Sequence, residues 1–356
     1  MIPYWLLLLL PVWACAQGSR RPWNDSQAWL IGICLTLFIG LRHEVGGDWF
    51  NYIPYVTRAE GLTFGEIISV IGNHWGDPGY NILNWLFASY SWGIYGVNLI
   101  SAVIVSVGLV LFCRAQPRPW LALCLSIPYL VIVVAMGYSR QGVALGLIMP
   151  GLLALEKGRL LPFLGSIAAA ATFHSTALVM LAFVVPAIRG RSITMRALRL
   201  LLLLIVGGVL VQTFLAARVD GFVASYIENE YQSQGAAIRV AMNLLPALLI
   251  LLWPKRFAFT SLQLHLWRSM AFTALACAVV LVLFPSNSTA VDRIALYVIP
   301  LQLVVWSRLP GTRLLGLSPK QLLISVLVFC VAVEFVWLNF AIHAHGWLPY
   351  TNVLGL

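Results

Sequence analysis

Residues 95–113 read YGVNLISAVIVSVGLVLFC, an apolar run without a charged side chain. A helix needs ~20 such residues to cross the hydrocarbon core of a bilayer. Residues 198–217 and 321–340 form similar runs with a single charged residue each. The apolar residues come in blocks rather than in strict alternation, which favours membrane helices over an outer-membrane barrel. These blocks predict an all-α polytopic membrane protein.

The composition of the whole chain agrees with this prediction. Of its 356 residues, 61% are hydrophobic and 10% are charged, whereas soluble proteins have roughly 45–50% apolar and ~25% charged residues. A soluble globule could not cover so much apolar surface with so few charges. The composition therefore excludes a soluble enzyme, a disordered protein and a disulfide scaffold.

The remaining compositional signals do not point to a bound metal or to nucleic acid. The 6 cysteines lie in or beside apolar blocks without a CxxC pair, and we interpret them as packing residues. His343 and His345 have no nearby Cys or carboxylate, so we expect no metal and no cofactor. The net charge of +10 includes no long basic run, so we expect no nucleic-acid partner. Walker, GxGxxG and HExxH motifs are absent from the sequence, which argues against an ATP-driven pump and a zinc protease.

Hydropathy divides the chain into candidate spans. We interpret residues 1–356 as a single integral membrane domain with about 12 transmembrane helices. Short interfacial helices are expected in two outer-face segments, 42–94 and 218–238. Residues 79–92 are assigned to the interface rather than to an extra span, because the aromatic residues in and beside this segment suit that depth: Trp85, Tyr90, Trp92 and Tyr95. The predicted spans are 2–16, 28–41, 95–113, 120–136, 142–155, 160–173, 176–188, 198–217, 239–253, 266–284, 294–307 and 321–340.

The basic residues predict the orientation of these spans. With the N-terminus outside, 16 of the 22 Lys and Arg residues lie in inner loops. The first block is interpreted as a retained helix rather than a signal peptide, because Arg20 and Arg21 follow it. Residues 160–188 are interpreted as two helices turning at His174, because one long helix would send every later basic loop outside. The outer face then carries Arg42, Arg58, Arg140, Arg218, Arg239 and Arg293.

Four of these arginines lie at predicted outer helix ends. A guanidinium grips phosphate with two parallel hydrogen bonds and keeps its charge when poorly solvated. Two interpretations remain open: the arginines cap helix ends, or they converge on one anionic ligand. Capping is favoured for Arg58 and Arg218. The four candidates for convergence are Arg42, Arg140, Arg239 and Arg293.

Two further outer residues are suited to proton transfer. His174 lies between two apolar blocks, and a histidine titrates near neutral pH. Asp48 follows two glycines, a flexible turn that can present a carboxylate at the membrane surface. A satisfied turn histidine and a simple helix cap are the alternatives. The aromatic residues on the same side form an interfacial belt or stack on sugar rings, and the two interpretations are compatible.

Several short motifs follow one another in a fixed order among the spans. Their order and spacing resemble the EpsG family of polysaccharide-polymerising membrane proteins, related in role to Wzy O-antigen polymerases. The resemblance covers most of the chain. Gly47 departs from it, because similar sequences often carry Thr there, so we assign no chemistry to Gly47. The motifs are Arg42…Val45-Gly46-Gly47-Asp48…Tyr52, Asp77-Pro78-Gly79-Tyr80, Ser139-Arg140-Gln141, Phe173-His174-Ser175 and Arg293…Tyr297.

The resemblance implies a glycosyltransferase-C-like bundle in the bacterial inner membrane, with its active site facing the periplasm. The implied reaction transfers a growing glycan from polyprenyl pyrophosphate to the non-reducing end of another lipid-linked repeat unit. The implied partners are the polyprenyl-pyrophosphate-linked donor and acceptor, membrane lipid, and a flippase and a chain-length regulator of the same pathway.

The resemblance also implies roles for individual residues. His174 or Asp48 is expected to accept the proton of the attacking hydroxyl, and Arg140 to stabilise the leaving pyrophosphate. Arg140 and Arg293 are expected to hold the donor pyrophosphate at helix N-termini. The substrate-binding residues are expected to be Arg42, Tyr52, Asp77, Gln141, Arg239, Arg293 and Tyr297.

Two other functions remain in competition with a polymerase. An O-antigen ligase-type glycosyltransferase would share the outer arginines and differ in its acceptor. A non-enzymatic flippase or transporter for the same glycolipid predicts internal repeats and broken or ionisable helices at the midplane. We see no clear repeat in the sequence, and Glu334 is the one acidic residue within a predicted span. The sequence therefore favours the enzyme.

Overall fold

The computed structural model describes residues 1–18, 22–72, 77–90, 92–184, 192–227 and 235–355. The chain is 82% helical, and the described ranges contain no strand. This architecture fits the all-α membrane protein expected from the apolar blocks. Arg20, Arg21 and residues 185–191 and 228–234 lie outside the described residues, as does the side chain of Arg218.

The helices follow the predicted blocks closely in the first half of the chain. Helices α1 to α9 are Ile2–Ala16, Asp25–Gly40, Trp49–Ala59, Phe64–Gly72, Pro78–Ala88, Gly93–Arg114, Pro119–Ser126, Ser139–Glu156 and Leu160–Phe173. Helices α10 to α15 are Ile193–Ile227, Ala236–Leu252, Ser261–Leu283, Ser288–Leu296, Pro300–Arg308 and Pro319–Phe340. A π-helix, Ile127–Ala135, continues α7, and a 3-10 helix, Ser175–Phe183, follows α9.

Fewer helices than expected are long enough to span a bilayer by themselves. Within the described residues, α6, α12 and α15 are both long and apolar enough, and a bent pair after α12 adds a fourth candidate. Five shorter apolar helices coincide with predicted blocks: Ile2–Ala16, Asp25–Gly40, Pro119–Ala135, Leu160–Phe173 and Ala236–Leu252. The structure thus supports a membrane protein, and the number of spans stays a prediction.

The block at residues 294–307 is not the single helix that the sequence predicted. Helix α13 ends at Leu296 and α14 begins at Pro300, and the helical segments around this break are bent by 58°. Proline has no N–H, so Pro300 cannot donate to the carbonyl four residues earlier. Arg293 consequently lies in the last turn of α13 rather than at a helix N-terminus. The helix-dipole argument made for Arg293 is therefore wrong.

The chain divides into two compact units, described separately below. The first comprises Met1–Pro150, Ala168–Ser175 and Lys320–Leu356, and the second comprises Gly151–Ile167 and Thr176–Pro319. In the first unit α6 packs along α2. It also approaches α8 so closely that a Cβ added at Gly146 would lie 2.8 Å from Val105 Cα. Gly146, the second glycine of the GxxxG sequence Gly142–Gly146, therefore serves close packing of α8 on α6, whereas Gly142 lies against Ala135.

In the second unit, α11 packs against α12, α13 and α14. Asn243 of α11 is buried and donates to the carbonyl of Ala295 at 2.9 Å, next to the break between α13 and α14. Gln302 donates in turn to Asn243 Oδ1 at 2.7 Å. This amide pair thus adds a side-chain hydrogen bond to a backbone carbonyl beside the break.

Candidate active site

Arg140 and Asp77 form the centre of the candidate site in the first unit. Arg140 lies in the first turn of α8, and its NH1 donates to Asp77 Oδ2 at 3.0 Å. Asp77 is the N-cap residue of α5 but makes no side-chain capping bond there. Its other oxygen accepts from the backbone N–H of Ser175 at 3.3 Å. One carboxylate therefore ties together the start of α8, the start of α5 and the residue after His174.

Three tyrosine rings surround the Arg140 guanidinium. Its carbon lies 5.8 Å from the ring centre of Tyr52, 5.4 Å from that of Tyr55 and 6.0 Å from that of Tyr80. Contacts of this kind favour a cation and orient its plane. Burial raises the pKa of Tyr80, and burial followed by the Asp48 charge raises that of Tyr52. Both hydroxyls therefore stay protonated beside a permanently charged arginine.

Asp48 is joined to this cluster through Tyr52. It is the N-cap residue of α3 and makes no side-chain capping bond. Its Oδ2 accepts from the Tyr52 hydroxyl and its Oδ1 from Asn51 Nδ2, both at 3.3 Å. Gly46, two residues earlier, has φ +114°, and a Cβ there would lie 2.2 Å from the carbonyl oxygen of Met136. Only glycine fits at this position. The turn that it forms sets the backbone direction of the residues leading to Asp48.

His174 lies at the interruption that the sequence predicted. Helix α9 ends at Phe173, the 3-10 helix begins at Ser175, and the N–H of His174 donates to the carbonyl of Ala170 at 2.9 Å. The end of α9 lies directly against the DPGY turn, because a Cβ added at Gly79 would lie 2.5 Å from Thr172 Oγ1. His174 is half-buried. The structure thus brings the VGGD, DPGY, SRQ and FHS motifs together in one unit.

Arg42 occupies a different position from Arg140. It is 1% exposed, and its guanidinium donates to the carbonyls of Ile39 and Val45 and to the side chains of Asn98 and Ser139. Burial lowers the pKa of Arg42 to about 10, so it remains charged at neutral pH. Since four N–H groups already bond the protein, Arg42 is better placed to hold the start of α8 than to meet a substrate.

Of the remaining predicted residues, Arg239 and Tyr297 belong to the second unit and Gln141 belongs to the first. Arg239 is buried in the first turn of α11, and its Nε lies 2.5 Å from Asp292 Oδ1 in the second unit. Tyr297, at the end of α13, is also buried in the second unit. Gln141 is buried in the first unit beside Arg140. Convergence of four arginines on one ligand stays a prediction.

Sequence reasoning missed some members of the cluster. Tyr80 was part of the DPGY motif and Tyr55 was one of the outer aromatics, but neither was predicted to contact Arg140, as both do. The spacing of Tyr52 and Tyr55 on one helix is the signal that could have found this face, because residues three apart are neighbours on a helix. The backbone N–H of Ser175 carries no sequence signal. Among the described residues, no group of three or more His, Cys, Asp or Glu side chains is arranged to hold a metal ion.

Comparison with known proteins agrees with the motifs that meet here. The family model described as "EpsG family" matches residues 28–352, nearly the whole chain. No curated protein and no solved structure matches the chain. The matched range includes every motif on which the resemblance rests. The chain therefore belongs to the EpsG family, a Wzy-like family of polysaccharide polymerases.

Proposed function

We propose that this protein polymerises polyprenyl-pyrophosphate-linked oligosaccharide repeat units at the periplasmic face of the bacterial inner membrane. The observation that carries the proposal is Arg140, oriented by Asp77 and by three tyrosine rings where four family motifs meet. A fixed guanidinium suits the transition state of this reaction, because the leaving pyrophosphate gathers negative charge as its bond to carbon breaks.

In the proposed reaction, the hydroxyl oxygen of the acceptor sugar forms a bond to the anomeric carbon of the donor glycan. The bond from that carbon to the pyrophosphate oxygen breaks, and the electron pair leaves with the pyrophosphate. The proton of the hydroxyl passes to a base on the protein. Arg140 stabilises the departing charge and has donors beyond the NH1 that bonds Asp77; its buried Nε lacks a hydrogen-bond partner among the described residues.

The contacts separate the carboxylates into two roles. Asp77 is an ion-pair partner of Arg140, and a cationic partner makes a carboxylate a weaker base. Asp77 is therefore proposed to position Arg140 rather than to accept a proton. Asp48 accepts hydrogen bonds from neutral groups, Tyr52 and Asn51. Asp48 and His174 remain the two candidates for the base.

A glycolipid flippase is the second candidate, favoured by the bent pair of helices around Pro300. Broken membrane helices mark the binding sites of many transporters. Here, however, the amides of Asn243 and Gln302 bond each other and a backbone carbonyl beside the break. Their polar groups serve the fold of the second unit, so the polymerase remains the better supported function.

The test is reconstitution of the purified protein in liposomes with a defined lipid-linked repeat unit. We expect products longer than one repeat with a single linkage type, and no need for nucleotide sugar. A product formed by a single glycan transfer to a different acceptor, without further elongation, would indicate a ligase. Movement of the labelled lipid across the bilayer without new glycosidic bonds would indicate the flippase.

The same assay tests the expectation that catalysis needs no divalent ion. We expect full polymerisation in excess chelator, because arginine can neutralise the leaving pyrophosphate. Activity that is lost in chelator and restored by magnesium or manganese would contradict this and would suggest Asp48 and Asp77 as ligands.

A further inference from the structure

The chain ends in a segment that is bound to the loop carrying Arg42 and Asp48. Residues 346–353, here called the C-terminal strap, bond this loop at several points. The N–H of Gly46 donates to the carbonyl of Gly346 at 2.7 Å, and that of His43 to the carbonyl of Thr351 at 2.9 Å. Arg42 also forms an isolated antiparallel β-bridge with Asn352. The strap therefore fixes the backbone of the loop on both sides of Arg42.

Trp347 is the largest strap side chain that contacts the loop. It is 1% exposed, and its Nε1 donates to the carbonyl of Ile132 in the π-helix at 2.7 Å. Its ring occupies the space beside two glycines. A Cβ added at Gly47 would lie 3.1 Å from Trp347 Cη2, and one at Gly137 would lie 2.4 Å from Cζ2. The indole therefore packs between Gly47, which precedes Asp48, and Gly137, which precedes α8.

We propose that the C-terminal strap is a working part of the polymerisation site and that Trp347 is a positioning residue for Asp48. This inference rests on the proposed function, in which Asp48 serves the acceptor hydroxyl. The physical reason is that Asp48 directly follows Gly47, so the indole limits where the carboxylate can lie. The Tyr52 hydroxyl, whose ring contacts Arg140, donates to Asp48 at 3.3 Å, and a small shift of the loop would lengthen this hydrogen bond.

The strap also accounts for the departure from the family pattern at Gly47. A threonine there would place its Cβ against the buried Trp347 ring, and tight cores tolerate added atoms poorly. Glycine at this position and tryptophan in the strap are therefore complementary in size. This complementarity allows a test in which a damaging substitution is rescued by a second one.

The first experiment measures polymerisation by Gly47→Thr, Trp347→Phe and the double variant. Gly47→Thr should lower turnover ~10- to 100-fold, the scale expected when a reacting group is displaced by ~1 Å. The double variant should recover to within ~3-fold of Trp347→Phe, because the smaller ring frees the space that threonine needs. His343→Ala, an exposed change outside the strap, is the matched control and should keep wild-type turnover. Failure of the double variant to recover would overturn the size argument.

The second experiment asks whether the strap acts through Asp48. Trp347→Leu should lower turnover ~10-fold or more in the wild-type background but less than ~2-fold in an Asp48→Asn background. Membrane level and thermal stability in detergent are measured for each variant. An equal loss in both backgrounds, or normal turnover of Asp48→Asn, would show that the strap has a structural role only.

A third measurement does not depend on activity. In a Cys34→Ser background, Asp48→Cys should react with an impermeant maleimide several-fold faster when Trp347→Leu is also present, because the loop is released. Unchanged labelling would overturn the proposal. If the wild-type protein makes no polymer from any lipid-linked repeat, the proposed function fails, and this labelling still decides whether the strap holds the loop.

Discussion

Arg42 and Arg140, both predicted to lie on the outer face, have opposite surroundings in the first unit, and these surroundings decide what each can do. Arg42 is enclosed and donates to neutral groups of the protein, whereas Arg140 keeps 29% of its side chain exposed beside one carboxylate. A guanidinium whose donors are already bonded supports structure, and one with remaining donors can bind an anion. Of these two arginines, Arg140 is the one that combines orientation with access.

The first residue-scale prediction concerns Arg140 and Asp77. Arg140→Lys keeps the charge but loses the planar fork and its stacking on tyrosine, so turnover should fall ~100-fold or more while the protein stays folded. Asp77→Asn should also lower turnover, because Arg140 loses its ion-pair partner. Arg58→Lys, on the exposed face of α3, is the matched control. Turnover, membrane level and donor binding are measured separately, and wild-type turnover by Arg140→Lys would refute the fork argument.

The second residue-scale prediction separates the two candidate bases. A positioned base contributes ~100- to 10,000-fold in rate, so the variant that removes it should lose turnover on that scale while still binding donor. His174→Ala and Asp48→Asn are compared for this purpose. Normal turnover of His174→Ala assigns the base role to Asp48. Normal turnover of both variants would rule out general-base catalysis and leave orientation and charge stabilisation.

At the scale of elements, glycines set how closely α6 and α8 approach. A Cβ added at Gly108 would lie 1.9 Å from the carbonyl oxygen of Gly146. Small residues allow membrane helices to pack backbone to backbone, where dispersion contacts and not the hydrophobic effect hold them together. This contact matters for function because the first turn of α8 carries Arg140.

The element-scale prediction is that Gly146→Ala destabilises the protein. The added methyl would meet Val105 Cα at 2.8 Å and the carbonyl oxygen of Ile104 at 3.0 Å. Overpacking of this kind costs ~1–3 kcal/mol in the free energy of unfolding. Thermal melting in detergent measures the loss. Gly165→Ala on α9 is the control, since nothing lies within 4 Å of its added Cβ; an equal effect of the two changes would contradict the packing explanation.

At the scale of the whole molecule, the orientation in the membrane remains the central expectation. The twelve-span interpretation rests on the basic residues of the inner loops. In the structure the α-helix is interrupted at His174, because α9 ends at Phe173 and a 3-10 helix begins at Ser175. Its long apolar helices and its shorter ones agree with a membrane protein.

The whole-molecule prediction is that reporter fusions after Arg191 and after Gln234 read cytoplasmic and periplasmic, respectively. Both sites lie outside the described residues. The physical reason is that the chain must turn at His174 for the later basic loops to stay inside. A fusion before the first span, expected to read periplasmic, is the control for orientation. The opposite result at either site would overturn the predicted turn.

The sequence by itself determined the helical membrane class, the family and the approximate helix boundaries. These properties depend on composition and on runs of neighbouring residues, such as residues 95–113. Such patterns can be recognised without knowledge of the tertiary contacts. Gly46 and Pro300 show the limit of this kind of reading. Both residues are visible in the sequence. The sequence did not show that the carbonyl of Met136 lies against Gly46, or that the chain bends between α13 and α14 at Pro300.

Only the tertiary structure decided which polar residues act together. Arg140 is bonded to Asp77, 63 positions away in the chain, and Asp77 to Ser175, 98 positions away. The sequence placed Arg42 among the substrate-binding candidates and gave Trp347 no role, yet both are buried against the loops that carry the site. The physical reason is that ion pairing, ring stacking and steric fit depend on distances of a few ångströms between segments that are remote in sequence. Such distances are set by the packing of many helices at once, and no local pattern encodes them.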